Sequence, residues 1–268
     1  MENTSSFLTD LMRQAGKIMT AAHMEGETGT DITAKPGTAN FVTVYDVAVQ
    51  DFILRELLKK WPDAVFLAEE QENDNQVLNA PRCFILDPID GTANFIHNYR
   101  HSCISLAMLE QGTTVFGAIY NPYLDEMFCA ELNKGATLNG RPIHVSDSHP
   151  ENGFATFGTS PYYKQTLGEQ TFALAKSLYQ TMSDVRRSGS AALDLAYLAA
   201  GRTDAFFELR LSPWDIAAGT LLIHEAGGTI TQSDGTPVTL TAPCSVFAGT
   251  PETYPHLIKA AGEILGNS

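Results

Sequence analysis

Two carboxylates leave one short stretch of chain, Asp87-Pro88-Ile89-Asp90-Gly91-Thr92. The preceding run Cys83-Phe84-Ile85-Leu86 is apolar and predicts a buried strand that ends as the acids begin. Bare carboxylates ~4 Å apart repel each other by roughly 4 kcal/mol at an effective dielectric of about 20. A fold that assembles them neutralises them with protons or cations. Oxygen ligands suit Mg²⁺, which takes a few carboxylates together with substrate phosphate oxygens. Gly91 and Thr92 follow where a helix can begin, and N–H groups at a helix start receive phosphate. The stretch therefore predicts a metal-assisted phosphate site.

Two more acids stand out by context. Glu69 ends the strand pattern Val65-Phe66-Leu67-Ala68. Asp215 falls in the first turn of a helix announced by Ser212-Pro213, an N-cap followed by proline at the first helical position. The helix dipole favours a negative charge there. Taken singly, each acid is ordinary: a glutamate at a loop edge, an acid at a helix end, an Asp-Pro turn. Only their convergence in space would make a site.

The elements that must position them follow from periodicity. Phe7, Leu8, Leu11, Met12, Ala15, Ile18 and Met19 recur at helical spacing. A second helix carries Val49, Phe52, Ile53 and Leu57 and stops at Trp61-Pro62. Asp31 to Asn40 reads as a loop, and the polar residues 71–80 as a mobile loop. From His101 to Val145 the pattern is antiparallel strands, with Gln111-Gly112 as a hairpin turn. A mixed half begins near Phe154. Its expected helices are Gln165–Gln180, Ala191–Ala200, one from Pro213 to Ala226, and Pro255–Leu265. No repeat or linker is visible. The expectation is a single domain over 1–268, with two packed lobes meeting near residue 150.

The 268 residues carry a formal charge of −14, which argues against a broad nucleic-acid surface. A small anionic substrate is still allowed, because divalent cations reverse the local sign. No apolar run approaches the ~20 residues needed to cross a bilayer. The polar N-terminus has no signal-peptide pattern, so a cytoplasmic protein without membrane contact is expected. Four dispersed cysteines form no C-x-x-C pair and read as buried thiols.

Four blocks carry a resemblance. They are Phe41-Val42-Thr43-Val44-Tyr45-Asp46, then Ala68-Glu69-Glu70, then Leu86 to Phe95 around D-P-I-D-G-T, and Trp214-Asp215-Ile216-Ala217-Ala218-Gly219 running on to Gly228. In this order and at these intervals they resemble the inositol monophosphatase family of Mg²⁺-dependent, lithium-sensitive phosphatases. The resemblance implies an α/β (α+β) fold: a layered αβαβα sandwich of the sugar-phosphatase type with mixed and antiparallel sheets. It also implies a homodimer, by analogy only.

The implied reaction is hydrolysis of a myo-inositol monophosphate to inositol and phosphate by a metal-activated water. Glu69, Asp87 and the backbone carbonyl of Ile89 would bind a first metal. Asp87, Asp90 and Asp215 would bind a second, with a weaker third near Glu69. Asp46 and Thr92 would position and activate the water, and Gly91 and Thr92 would hold phosphate oxygens. Asp90, Gly189, Ser190, Ala191, Glu208 and Asp215 would contact the rest of the substrate. Two cations ~3.5–4 Å apart suit an in-line phosphoryl displacement on chemical grounds as well.

Several positions read two ways. Ser190 is equally an N-cap, and Glu208 an exposed strand-end acid. Lys35 matches a family lysine near the third metal, or is a solvated loop lysine. Arg186, Arg187 and Arg210 read as rim residues or as contacts to a second anionic group. His97 and His101 have the spacing of a zinc pair but no third ligand, and read as structural or surface histidines. Ala68, Ala93 and Asn40 depart from the family pattern. Ala68 replaces a glycine and would be strained if its φ were positive.

Rival substrates on the same scaffold are fructose-1,6-bisphosphate, a 3′-phosphoadenosine nucleotide and histidinol phosphate. A rival of another class is a non-catalytic RNA or transcription-complex partner, since Ala191–Tyr197 looks similar to a helix in bacterial relatives of that kind.

Overall fold

The computed structural model describes residues 4–24, 32–34, 41–159 and 163–266. Helix α1 (Thr4–Met24) and the short strands β1 (Ile32–Ala34) and β2 (Phe41–Thr43) precede helix α2 (Val44–Lys60). Then come β3 (Val65–Ala68), β4 (Cys83–Asp90), the five-residue helix α3 (Thr92–Ile96) and β5 (Cys103–Glu110). Strands β6 (Thr113–Asn121), β7 (Glu126–Glu131), β8 (Ala136–Leu138) and β9 (Arg141–Ile143) complete the first half. The second half contains β10 (Phe154–Phe157), α4 (Lys164–Thr181), β11 (Asp184–Arg186), α5 (Ala191–Ala199), β12 (Ala205–Leu211) and α6 (Pro213–Glu225). Strands β13 (Thr229–Thr231) and β14 (Cys244–Gly249) and helix α7 (Tyr254–Leu265) close the chain.

Period-two alternation splits the strand side chains between two faces. Phe84 and Leu86 of β4 pack with Leu8, Met12, Val49 and Ile53 of α1 and α2. Ile85 on the opposite face meets Leu193, Leu195, Ile216 and Leu222 of α5 and α6. In β12, Phe206 joins that same central core, whereas Phe207 packs with Leu174, Leu178 and Leu257 of α4 and α7. Three apolar cores thus separate five layers: α1 and α2, a seven-stranded sheet, α5 and α6, a five-stranded sheet, α4 and α7. This is the expected αβαβα sandwich.

The seven-stranded sheet runs β3-β4-β5-β6-β7-β8-β9, with only β3 and β4 parallel. The five-stranded sheet runs β11-β10-β12-β14-β13, with β11, β10 and β12 parallel. Helix α6 beds closely onto β6. A Cβ built on Gly117 would stand 2.9 Å from the carbonyl oxygen of Ala218.

Three expectations need correction. Strand β4 does not stop at Leu86 but continues through both acids to Asp90. Its register with β5 shifts between Asp87 and Asp90, so Pro88 sits at an irregularity where no ladder N–H is required. Residues 32–34 are not loop but pair antiparallel with Phe41–Thr43. Residues 75–79 form a 3₁₀ turn capped by Asp74, whose side chain accepts from the Gln76 N–H at 2.9 Å. Lys35 and Asn40 lie outside the described residues.

Candidate active site

Local folding delivers each acid with one oxygen already engaged. Asp46 is the third residue of α2 and closes a capping box with Thr43. Its Oδ2 accepts from the Thr43 N–H at 2.8 Å and the Thr43 hydroxyl at 2.5 Å. Its Oδ1 is 3.4 Å from the Thr92 hydroxyl, which also reaches the Ile89 carbonyl at 3.0 Å. Asp215 repeats the device at α6, where its Oδ2 accepts from the Ser212 N–H at 2.6 Å. Asp87 Oδ1 accepts from the Ile89 N–H at 3.0 Å. Asp90 Oδ2 accepts from the Ala192 N–H at 2.9 Å and from the Ser190 hydroxyl.

Asp87, Asp90 and Asp215 meet. One oxygen from each lies within 4.8 Å of the others. Glu69 follows β3, with its N–H bonded to the Leu86 carbonyl at 3.2 Å. It lines a cavity of about 190 Å³ together with Asp90, Gly91, Thr92 and Asp215. The far side of the cavity carries Gly158, Arg187, Gly189, Ser190, Ala191, Asp194 and Glu208. Glu69, Asp90, Gly91, Thr92, Gly189, Ser190, Ala191, Glu208 and Asp215 thus line one pocket, whereas Asp46 and Asp87 are not among its lining residues.

The site is electrostatically unsatisfied as a bare protein. Burial raises the carboxyl of Asp87 well above the usual range, and the charges of Glu69, Asp90, Asp215 and Asp46 raise it further. Burial likewise raises Asp215, with Asp90 and Glu69 adding to it. Asp90 is raised by burial, against the opposing hydrogen bonds from Ser190 and Ala192. Asp46 is pushed up to about 7 by burial, with Thr43 opposing. An all-oxygen set of clustered, buried acids is the donor chemistry of a hard divalent cation.

The structure places the residues that read two ways in sequence. Ser190 does cap α5, its hydroxyl accepting from the Leu193 N–H at 3.4 Å. Glu208 is not an exposed strand-end acid; it is 8% exposed and lines the cavity. Gly158 makes that possible, since a Cβ there would stand 1.7 Å from Glu208 Oε2. Arg187 lines the cavity and donates to the Thr159 hydroxyl at 3.0 Å. Arg186 pairs with Asp184 at the surface, and Arg210 lies over the Tyr163 ring at 4.8 Å. His97 caps the C-terminus of α3, and His101 packs edge-on against Tyr197. Ala68 sits in β3 and is not among the residues with positive φ.

Sequence alone does not single out Gly158 or Asp194. Asp194 is buried in α5 and accepts from the Ser188 hydroxyl at 2.7 Å. An acid inside the apolar run Ala191–Ala200 was the available signal. Gly158 offered none, because its partner lies fifty positions away.

Helix starts presenting buried acids beside a small polar cavity define a site for a cation and an anionic ester. The comparisons agree. A model of the inositol monophosphatase family matches residues 1–265. A Synechocystis relative named inositol-1-monophosphatase is 38% identical over 209 residues, covering 78% of this chain and 72% of its own. An Escherichia coli relative named Nus factor SuhB is 35% identical over 226 residues, covering 83% and 82%. The crystal structure of extragenic suppressor protein suhB from Bartonella henselae superposes with a TM-score of 0.87 at 34% identity, covering 95% of this chain and 96% of its own. The chain belongs to the inositol monophosphatase family and is a phosphatase of that family. No helix among the described residues is long and apolar enough to cross a membrane.

Proposed function

We propose that the protein hydrolyses a myo-inositol monophosphate to inositol and phosphate with Mg²⁺. The observation that carries this is the meeting of Asp87, Asp90 and Asp215 oxygens within 4.8 Å at a cavity whose far wall presents Glu208. Glu69, Asp87, Asp90, Asp215 and the Ile89 carbonyl would hold the metal. When bound, it would offset the charge of the carboxylates and of the phosphoryl oxygens and make the attacking water more acidic.

The chain's own groups do the rest. The Thr92 hydroxyl has one proton and two acceptors in reach, Ile89 O and Asp46 Oδ1. Its lone pairs accept from the water and aim the water's oxygen at phosphorus. Asp46 holds Thr92 in place, and the water's proton passes to the Thr92 oxygen as the Thr92 proton passes to Asp46 Oδ1. The new P–O bond forms to that oxygen as the bond to the inositol oxygen breaks; the alkoxide takes a proton from solvent water, and the proton left on Asp46 returns to solvent. Gly91 and Thr92 N–H groups hold the phosphate. Gly189 and Ala191 shape the wall against the ring, and Glu208 accepts from its hydroxyls, as a site built to read hydroxyls requires. A homodimer in the cytoplasm completes the reading.

Phosphate release from inositol monophosphate, compared with fructose-1,6-bisphosphate, a 3′-phosphoadenosine nucleotide and histidinol phosphate in Mg²⁺ with and without Li⁺, tests it. Preference for inositol monophosphate and loss of rate in Li⁺ are expected. No release from any polyol or sugar phosphate at saturating Mg²⁺ rejects the proposal.

The name of the Escherichia coli relative favours a second role, in a transcription complex. With a formal charge of −14, such a role runs through a protein partner rather than direct nucleic-acid contact. Asp87→Asn separates the two, because it stops turnover and leaves a docking surface intact.

A further inference from the structure

Asp90 is held from outside its own sheet. Its Oδ2 accepts from the Ala192 N–H at 2.9 Å and from the Ser190 hydroxyl, and the Cys103 thiol lies 3.7 Å from the same oxygen. Ser190 is 1% exposed. A hydroxyl has a single proton to donate, and in Ser190 it goes to Asp90. One Ser190 lone pair is taken by the Leu193 N–H at 3.4 Å, as the cap of α5. Cys103 Sγ stands 3.7 Å from the same hydroxyl oxygen. A substrate oxygen has no donor left to meet there.

The backbone of the turn at Gly91 lies equally close to the serine. Gly91, with φ +85°, would place a Cβ 3.3 Å from Ser190 Cβ and 3.2 Å from the Gly189 carbonyl oxygen. The turn after β4 and the start of α5 are thus in direct contact. The serine joins an acid of the seven-stranded sheet to a helix of the central layer.

We infer that Ser190 is a positioning residue: its hydroxyl proton fixes the Asp90 carboxylate for the cation and is not offered to substrate. With Oδ2 bound by Ser190, Ala192 and Cys103, the carboxylate cannot rotate, so its other oxygen is presented in one orientation. Remove the hydroxyl and the carboxylate swings on the remaining bonds. The consequence falls on metal binding before it falls on substrate binding. This rests on the metal reading proposed above, and it reassigns one residue within it.

The test is calorimetric titration of the purified full chain with Mg²⁺ alone, with KM for inositol monophosphate measured afterwards at saturating Mg²⁺. Ser190→Ala should weaken Mg²⁺ binding by about 10- to 100-fold, Ser190→Thr should restore it to within about threefold, and KM should move by less than about twofold. Unchanged Mg²⁺ affinity in Ser190→Ala, or a raised KM with intact Mg²⁺ affinity, overturns the inference. Should the alanine variant not fold, Ser190→Cys keeps the shape with a weaker donor, and Mg²⁺ affinity equal to wild type there overturns it too. A wild-type protein that binds no Mg²⁺ overturns this inference together with the metal reading. One that binds Mg²⁺ but releases no phosphate overturns only the proposed reaction.

Discussion

Thr43 gives two hydrogen bonds to one oxygen of Asp46, from its N–H at 2.8 Å and from its hydroxyl at 2.5 Å. The bond that caps α2 therefore also turns the other Asp46 oxygen toward Thr92. Helix stability and water positioning are tied to one side chain. Thr43→Ala should cost about 1 kcal/mol of stability as a lost cap. It should also lower kcat about tenfold, from ~1.4 kcal/mol of lost positioning, with KM unchanged. Denaturant unfolding and steady-state kinetics on the same preparation check both.

Asp87 sits where burial and four neighbouring acids all disfavour its charge. Asp87→Asn removes part of that repulsion. The metal-free variant should melt above metal-free wild type at pH 8, even though phosphate release falls by ~10³-fold or more through loss of several kcal/mol of charge stabilisation. Mg²⁺ should raise the melting temperature of wild type and leave the variant unmoved. Scanning calorimetry with chelator and then with Mg²⁺ reads both effects.

The carboxyl of Asp46 is raised from 3.8 to about 7. A raised acid binds its proton more tightly folded than unfolded. Its contribution to stability is complete below about pH 4 and is lost as pH rises through 7. Metal-free protein should therefore lose stability between about pH 4 and 7, and Asp46→Asn should flatten that slope. Urea unfolding at several pH values, in chelator, supplies the comparison, and equal slopes would refute the assignment.

Gly158 leaves room for Glu208 and for nothing else; a methyl there would stand 1.7 Å from Oε2. Gly158→Ala should displace the acid from the cavity wall. KM for inositol monophosphate should rise by about tenfold or more, the scale of one lost hydroxyl contact to a charged group. Hydrolysis of p-nitrophenyl phosphate, which has no ring hydroxyls to read, should change little. Parallel kinetics on the two esters decide the matter.

Much of this site is legible in the chain, and the reason is local. Asp46 and Asp215 each stand three residues after a threonine or serine at a helix start, so the helix geometry that defines a capping box also aims the acid. Asp87 and Asp90 announce themselves by following an apolar strand. What sequence misplaced was the end of that strand. The end of the apolar run at Leu86 argues for a stop, but the register shift between Asp87 and Asp90 lets the strand continue through the acids. The contact of Gly158 with Glu208, and of Ser190 with Asp90, could not be read, because each joins residues that only the stacking of the two sheets brings together.

Gly117 carries a different lesson. The bare spot it leaves on β6 lets α6 settle against the sheet at backbone range. Asp215 rides at the head of that helix, so the seat beneath the helix sets how far the acid reaches toward Asp87 and Asp90. A single methyl inserted there would act as a shim under a lever. The tuning screw of the acidic cluster thus lies in the middle of a strand, among residues that touch neither ion nor ester.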